Sequence, residues 1–312
     1  MNDLVLVTGA TGNVGREVVA ALRKQGRRIR AATPSVEQAR ALLGEGIEYV
    51  RFDFTEPERF APTFDGVSAV FLVRPPPVSE VKRIMGPVIA HAARSGRPHV
   101  VTLSVMGAGG NPLVPHHAME KLVRRAGLPY THLRPSFFMQ NLSTTYREEI
   151  RDRGEIFVPA GRGRTSFIDV RDIAEVAAGV LGDAAHHGRA YTLTGSEALT
   201  YFEVAEIFTR VLGRPFRYAN PTPREFKQRL REQGALENFI RVLASIYFIA
   251  RHGLAARVTP ETEQLLGRAP ITLEQFIRDH AALWQQPAVA LEREGVEQYR
   301  ADVRFPADRQ PV

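Results

Sequence analysis

Two groups of residues in this sequence have types and spacings suited to chemistry. The first is Gly9-Ala10-Thr11-Gly12-Asn13-Val14-Gly15. Glycines spaced this way allow a tight turn and a close backbone approach to a pyrophosphate. A helix that starts inside the run offers unpaired N–H groups and the positive end of its dipole to the anion. Thr11 and Asn13 can add side-chain donors. The second group is Ser104 with His117-Ala118-Met119-Glu120-Lys121. In the arrangement of a serine followed by Tyr-x-x-x-Lys on the next helix, the tyrosine donates a proton to a developing alkoxide, and the lysine lowers the tyrosine's pKa. Histidine stands in the tyrosine's place here. His117 and Lys121 share a helix face, and a neutral imidazole can give a proton as an oxyanion forms. The plainer alternatives are that His116 and His117 start a helix, that Lys121 pairs with Glu120 on a solvent face, and that Ser104 caps a strand end.

Three further positions bear on a nucleotide. Asp53, in Phe52-Asp53-Phe54, ends a short apolar run where a carboxylate can accept from an adenine amino group. The second strand should read the ribose: an acid there favours a 2′-hydroxyl and an arginine accepts a 2′-phosphate. The sequence offers Arg30-Ala31-Ala32-Thr33-Pro34-Ser35, with no acid. Arg30 in the strand, Arg40 one turn into the next helix and Thr33 are therefore the candidates, with a solvated surface the plainer reading of either arginine; the cofactor is expected to be NADP or NAD, tilted towards NADP. Asp169 and Asp172 are spaced for the start of a helix, where capping explains them better than a metal. No metal is expected.

The elements that must hold these groups follow from periodicity. Asp3–Val7, Arg28–Thr33, Ile47–Phe52, Val67–Val73, Val100–Ser104 and Tyr130–Arg134 read as strands. Helices lie between them: Val14, Val18, Val19 and Leu22 mark the first, Ser35 with Gln38 opens the second, and Ser79–Arg94 and Pro115–Ala126 follow. Strands alternating with helices imply right-handed βαβ units and a parallel sheet. The fold class is α/β, a doubly wound parallel Rossmann sheet with a smaller, mainly helical C-terminal lobe. Later elements are a helix over Asp169–Leu181, a strand over Ala190–Leu193, and helices opened by Thr200 with Glu203 and by Thr272 with Gln275. The expected division is 1–194 for the Rossmann domain, 195–285 for the lobe and 286–312 for a loose tail.

Composition excludes several classes. The 312 residues contain no cysteine, so disulfides, thiolate nucleophiles and cysteine-ligated metals are out. The net charge of +7 is mostly scattered arginine with no basic–aromatic interleaving, so nucleic acid is not an expected partner. No run of about 18 apolar residues predicts a membrane span. The expectation is a cytoplasmic monomer or homodimer acting on a small-molecule substrate.

Several stretches together resemble the NmrA-like branch of the atypical short-chain dehydrogenases: Thr8–Gly15, Val70–Pro76, Tyr130–Asn141, Phe167–Ala174 and Leu266–Pro270 with Phe276. The resemblance spans roughly residues 3–285. It implies a dinucleotide along the C-terminal ends of the strands, with Leu72, Val73, Arg74 and Pro75 at its middle and Pro135–Phe138 near the nicotinamide. Members include quinone, dye and imine reductases, and redox sensors that bind dinucleotide without turnover. One departure is Pro34, where the family often carries arginine; this weakens a preference for NADP. The function expected is an NAD(P)H-dependent oxidoreductase transferring hydride to a planar or apolar acceptor of the quinone, imine or enone class. Phe137, Phe138, Met139, Phe239, Tyr247 and Phe248 are candidates for its pocket. Hydride transfer to such acceptors does not require a protein acid. A sensor without turnover is the main alternative; an isomerase or epimerase is disfavoured by the missing tyrosine.

Overall fold

The structure is a computed structural model that describes residues 3–75 and 80–285. The expected tail, the prolines Pro76 and Pro77, and Ser79 lie outside the described residues. Strands β1 Val5–Thr8, β2 Ile29–Thr33, β3 Glu48–Arg51, β4 Ala69–Val73, β5 His99–Leu103 and β6 Tyr130–Pro135 come first. Then follow β7 Phe137–Phe138, β8 Glu155–Ile156, β9 Thr165–Ile168, β10 Arg189–Leu193, β11 Ala198–Leu199 and β12 Arg217–Tyr218. The helices of the first half are α1 Asn13–Lys24, α2 Val36–Leu43, α3 Phe60–Phe64, α4 Val81–Arg94, α5 Pro115–Arg125, α6 Gln140–Ser143 and α7 Arg147–Arg153. Those of the second are α8 Val170–Val180, α9 Tyr201–Leu212, α10 Pro223–Glu232, α11 Glu237–Arg251, α12 Glu261–Leu266, α13 Leu273–Asp279 and α14 Ala282–Gln285.

Seven strands form one parallel sheet in the order β10-β6-β5-β4-β1-β2-β3. Both faces are buried, which is why the strands read as nearly continuous apolar runs. Val5, Val7, Ala31, Phe71 and Val101 pack under α1 and α8 on one face. Leu4, Leu6, Ala32, Val70, Leu72 and Val100 pack under α3, α4 and α5 on the other. The order reverses between β1 and β4. In a sheet of this kind the crevice outside the carboxyl ends of the strands, at that reversal, is where ligands bind.

Local rules set the helix starts. The Ser35 side chain accepts from Gln38 N, Thr200 and Glu203 form a complete capping box, and Asp169 accepts from Arg171 N. Each such cap stabilises its helix by about 1 kcal/mol. A further box, Thr222 with Glu225, opens α10 and was not singled out from the sequence.

A second core lies beside the sheet. It joins Met139, Leu142, Tyr146, Ile150 and Phe167 to Tyr201, Phe208, Tyr247, Phe276 and Trp284. The chain therefore crosses between the two cores: it leaves the sheet after β6, returns for α8 and β10, and leaves again. The segment around α12 comes back once more, where Thr194 N donates to Thr262 Oγ1 at 2.9 Å. No helix among the described residues is long and apolar enough to cross a membrane.

Candidate active site

The glycine turn sits at the reversal point. Gly9 has φ +60, a left-handed conformation that glycine adopts without steric cost. Its carbonyl accepts from Gly12 N at 3.1 Å and closes the turn. Gly15 is the packing glycine: a Cβ there would lie 2.1 Å from Gly9 O and 2.8 Å from Gly9 C. Gly12 is different. A Cβ at Gly12 would meet only Gly9 O at 3.4 Å, an ordinary contact, so the fold itself does not demand glycine there. No side chain caps α1 and no acid stands in its first turn, so its leading N–H groups face the crevice with the dipole's positive end. The Thr8 hydroxyl donates to Phe71 O at 3.1 Å and accepts from Val73 N at 2.9 Å, joining the ends of β1 and β4. Val73 packs on Gly9, and Arg74 and Pro75 continue the same wall. Thr11 and Asn13 are half-buried at its rim, and Val14 is buried beneath.

At the far end of the crevice, Thr33 closes β2 and its hydroxyl donates to Ser35 O at 3.1 Å. Asp53 Oδ1 accepts from Thr55 N at 2.8 Å and Thr55 Oγ1 at 2.7 Å, so this carboxylate is also a turn cap. The Phe54 ring packs edge-on against Phe52 at 4.9 Å. Arg30 is not brought to this end. It pairs with Leu6 and Glu48 well before Thr33 in the register. Its guanidinium binds Glu48 Oε2 at 2.9 and 2.7 Å and the carbonyls of Thr63 and Asp65 at 3.1 and 2.7 Å. It ties β2 to β3 and to the end of α3, away from the crevice. Arg40 also points away, to Glu45 at 2.8 Å and over the Tyr49 ring.

The structure regroups the second cluster around a residue that the sequence reading left on the surface. Glu120 has no exposed surface. Ser104 Oγ donates to its Oε1 at 2.7 Å; Arg134 Nε and Nη2 donate at 2.9 and 2.7 Å. Burial alone would raise this carboxyl, but the hydrogen bonds from Arg134 and Ser104, with the charges of His132 and Arg134, hold it at about 2. Ser104 is thus committed to Glu120, not to His117. Lys121 is exposed, and His117 Nδ1 meets Ala108 O at 2.8 Å, bracing the loop after β5. The physical reason is helix phase. Met119, Glu120 and Val123 are the buried positions of α5, so His116, four residues before Glu120, faces inward and the His117/Lys121 face is turned about 100° away. His116 Nδ1 is buried without a hydrogen-bond partner among the described residues. Burial first, then the nearby Arg74 charge, pull its pKa down to about 4, against the pull of Glu120.

On the lobe side, Pro135 and Ser136 are buried at the end of β6. The Phe137 ring lies 6.4 Å from Phe167 and 6.4 Å from Tyr247, whose hydroxyl donates to Tyr146 at 2.6 Å. The other expected pocket residues scatter. Phe138 packs against the sheet core, Met139 belongs to the second core, Phe239 is half-buried on α11, and Phe248 is 60% exposed.

Residues 1–277 match the model of the NmrA-like family. The chain belongs to that family. Among NmrA-like relatives, the NAD(P)H azoreductase of Xenophilus azovorans is 32% identical over 283 residues, covering 89% of this chain and 98% of that enzyme. The NADP(H) complex of the Citrobacter triphenylmethane reductase is 26% identical with a TM-score of 0.78, covering 88% of this chain and 99% of that one. The NADPH complex of an NADPH-dependent quinone oxidoreductase from Escherichia coli is 25% identical with a TM-score of 0.81, covering 89% and 99%.

What sequence reasoning missed in the NmrA-like site is the pair His116 and Glu120. The signal was present: Met119 and Val123 fix the buried stripe of α5, and Glu120 falls on its edge with His116 one turn earlier.

Proposed function

We propose that this chain is an NAD(P)H-dependent reductase for a small planar or apolar acceptor such as a quinone, an imine or an azo dye. The observation that carries the reading is the bare amino end of α1 under a turn in which the fold demands Gly15 and leaves Gly12 bare for a ligand. The residues present fit a dinucleotide. Gly12, Asn13 and the first amides of α1 would hold its pyrophosphate; Val73, Arg74 and Pro75 its middle; Thr33, Asp53 and Phe54 its adenosine end; Pro135 and Ser136 the nicotinamide end. When bound, the dinucleotide supplies a hydride, and solvent can supply the proton that completes the reduction. The chain's own part is placement and dryness. The joined ends of β1 and β4 form a rigid floor, and Phe137 with Tyr247 offers an apolar wall on the lobe side. The relatives named above, reductases of azo compounds, triphenylmethane dyes and quinones by their names, support an acceptor of the same kind.

The test is direct. Purified protein is titrated with NADPH and NADH by nicotinamide fluorescence, then given menadione, methyl red and a cyclic imine. Oxidation of cofactor with at least one acceptor is the expected result. Saturable binding with no oxidation across the panel would favour a sensor over a reductase.

A further inference from the structure

We propose that His116 is the side chain through which α5 touches the acceptor, donating one hydrogen bond from a neutral imidazole to the acceptor heteroatom that gains charge as hydride arrives. This rests on the reductase reading of the crevice and deepens it.

Four observations converge. His116 occupies the first turn of α5, on the same face as Glu120. That face is locked, because Glu120 is held by Ser104 at the end of β5 and by Arg134 in β6. The phase of α5 is therefore fixed by two strands whose carboxyl ends border the crevice. Arg74, just past the end of β4, lies near enough to act on the imidazole, so His116 stands beside the wall that follows the glycine turn. Its Nδ1 is buried with no hydrogen-bond partner among the described residues, although buried polar atoms in folded proteins are nearly always paired. His117 differs on this point, since its Nδ1 already serves Ala108 O.

The chemistry follows from charge. The groups that act on His116 are Arg74 and Glu120, and with burial they leave it neutral at physiological pH, with a pKa of about 4. A neutral imidazole N–H polarises a carbonyl or azo group without transferring its proton. Hydride adds to the acceptor's electrophilic atom, the displaced electron pair moves to the heteroatom facing His116, and water supplies the final proton. The dinucleotide is oxidised and the acceptor reduced by two electrons, so the imidazole ends as it began.

The experiment uses the full chain with menadione and methyl red as acceptors. Replacing His116 by Leu should cut kcat at least about tenfold, with dinucleotide affinity changed less than about threefold. His116→Gln, which keeps a donor, should recover much of the loss. His117→Leu and Lys121→Ala should stay within about threefold of the parent. In the parent, kcat/KM should not fall between about pH 6 and 8, because a neutral donor has no proton to lose there. A readout independent of turnover is the ¹⁵N spectrum of histidine-labelled protein. The His116 ring signals should shift when menadione is added to the complex with oxidised dinucleotide, and that signal should titrate near pH 4. Unchanged His116 signals, parent-like rates in His116→Leu, or a fall in rate centred near pH 6.5 that disappears in His116→Gln would each overturn the proposal. Because binding is read separately, absence of any turnover would count against the reductase reading, whereas turnover without His116 would count only against this one.

Discussion

Glu120 and Arg134 are joined by two hydrogen bonds, 2.9 and 2.7 Å, at a place where the carboxylate has no exposed surface. The pair crosses from α5 to β6. A Cβ at Gly109 would lie 2.7 Å from the guanidinium carbon, so the loop backbone covers the arginine as well. One ion pair thus anchors the helix that carries His116, the strand that leads into Pro135, and the loop between β5 and α5.

Removing one partner should be costly. Arg134→Met leaves the buried carboxylate with only the Ser104 hydroxyl and the longer Arg124 contact at 3.3 Å, and a loss of about 2–4 kcal/mol in unfolding free energy, below the cost of a wholly unpaired buried charge, is expected from urea titration. Glu120→Gln keeps part of the hydrogen bonding and should lose less. The pH dependence has a definite sign. The folded-state pKa of Glu120 is depressed from 4.5 to about 2. Its stabilisation is therefore complete above pH 4.5 and is lost as pH falls towards 2. In Glu120→Gln the slope of stability against pH in that window should be shallower than in the parent; an unchanged slope would show that Glu120 is not the group responsible.

His116 gives a second pH signature. Its folded pKa is depressed from 6.5 to about 4, so its contribution is fully present above pH 6.5 and is lost as pH falls through 4. His116→Gln should flatten part of the stability loss between those values, read from unfolding midpoints at pH 7, 5.5 and 4.

Arg30 separates structure from binding. Arg30→Ala removes hydrogen bonds to Glu48 and to the backbone carbonyls of Pro62, Thr63 and Asp65, and should lower stability by about 1–3 kcal/mol. It should leave the ratio of NADPH to NADH affinity unchanged within about twofold. A selective loss of NADPH binding would restore Arg30 to the ribose site.

Much of the fold was legible because its signals are local. Ser35 and Thr200 open α2 and α9 where their capping patterns said they would, and the apolar spacing of Val14, Val18, Val19 and Leu22 marks the buried face of α1. The glycine turn was legible for the same reason. What escaped depends on tertiary contacts. Arg30 has the right type near the right strand, but only the packing of the Thr63–Asp65 carbonyls shows where its guanidinium goes. Glu120 reads as a surface residue between Met119 and Lys121 until Arg134, fourteen positions on, supplies its counter-charge. The second core escaped in part because Met139, Tyr146 and Phe167 look like continuations of the sheet domain in sequence.

The central claim is that a pyrophosphate rests over the amino end of α1, against Gly12. Gly12→Ala tests it most directly, with dinucleotide affinity read by nicotinamide fluorescence and fold integrity by thermal unfolding. The added Cβ has room against the protein's own turn, standing 3.4 Å from Gly9 O. The unfolding midpoint should therefore move by less than about 4 °C, the shift that roughly 1 kcal/mol brings. Dinucleotide affinity should fall at least about tenfold, or 1.4 kcal/mol. A variant that folds normally and binds NADPH and NADH as tightly as the parent would contradict the account.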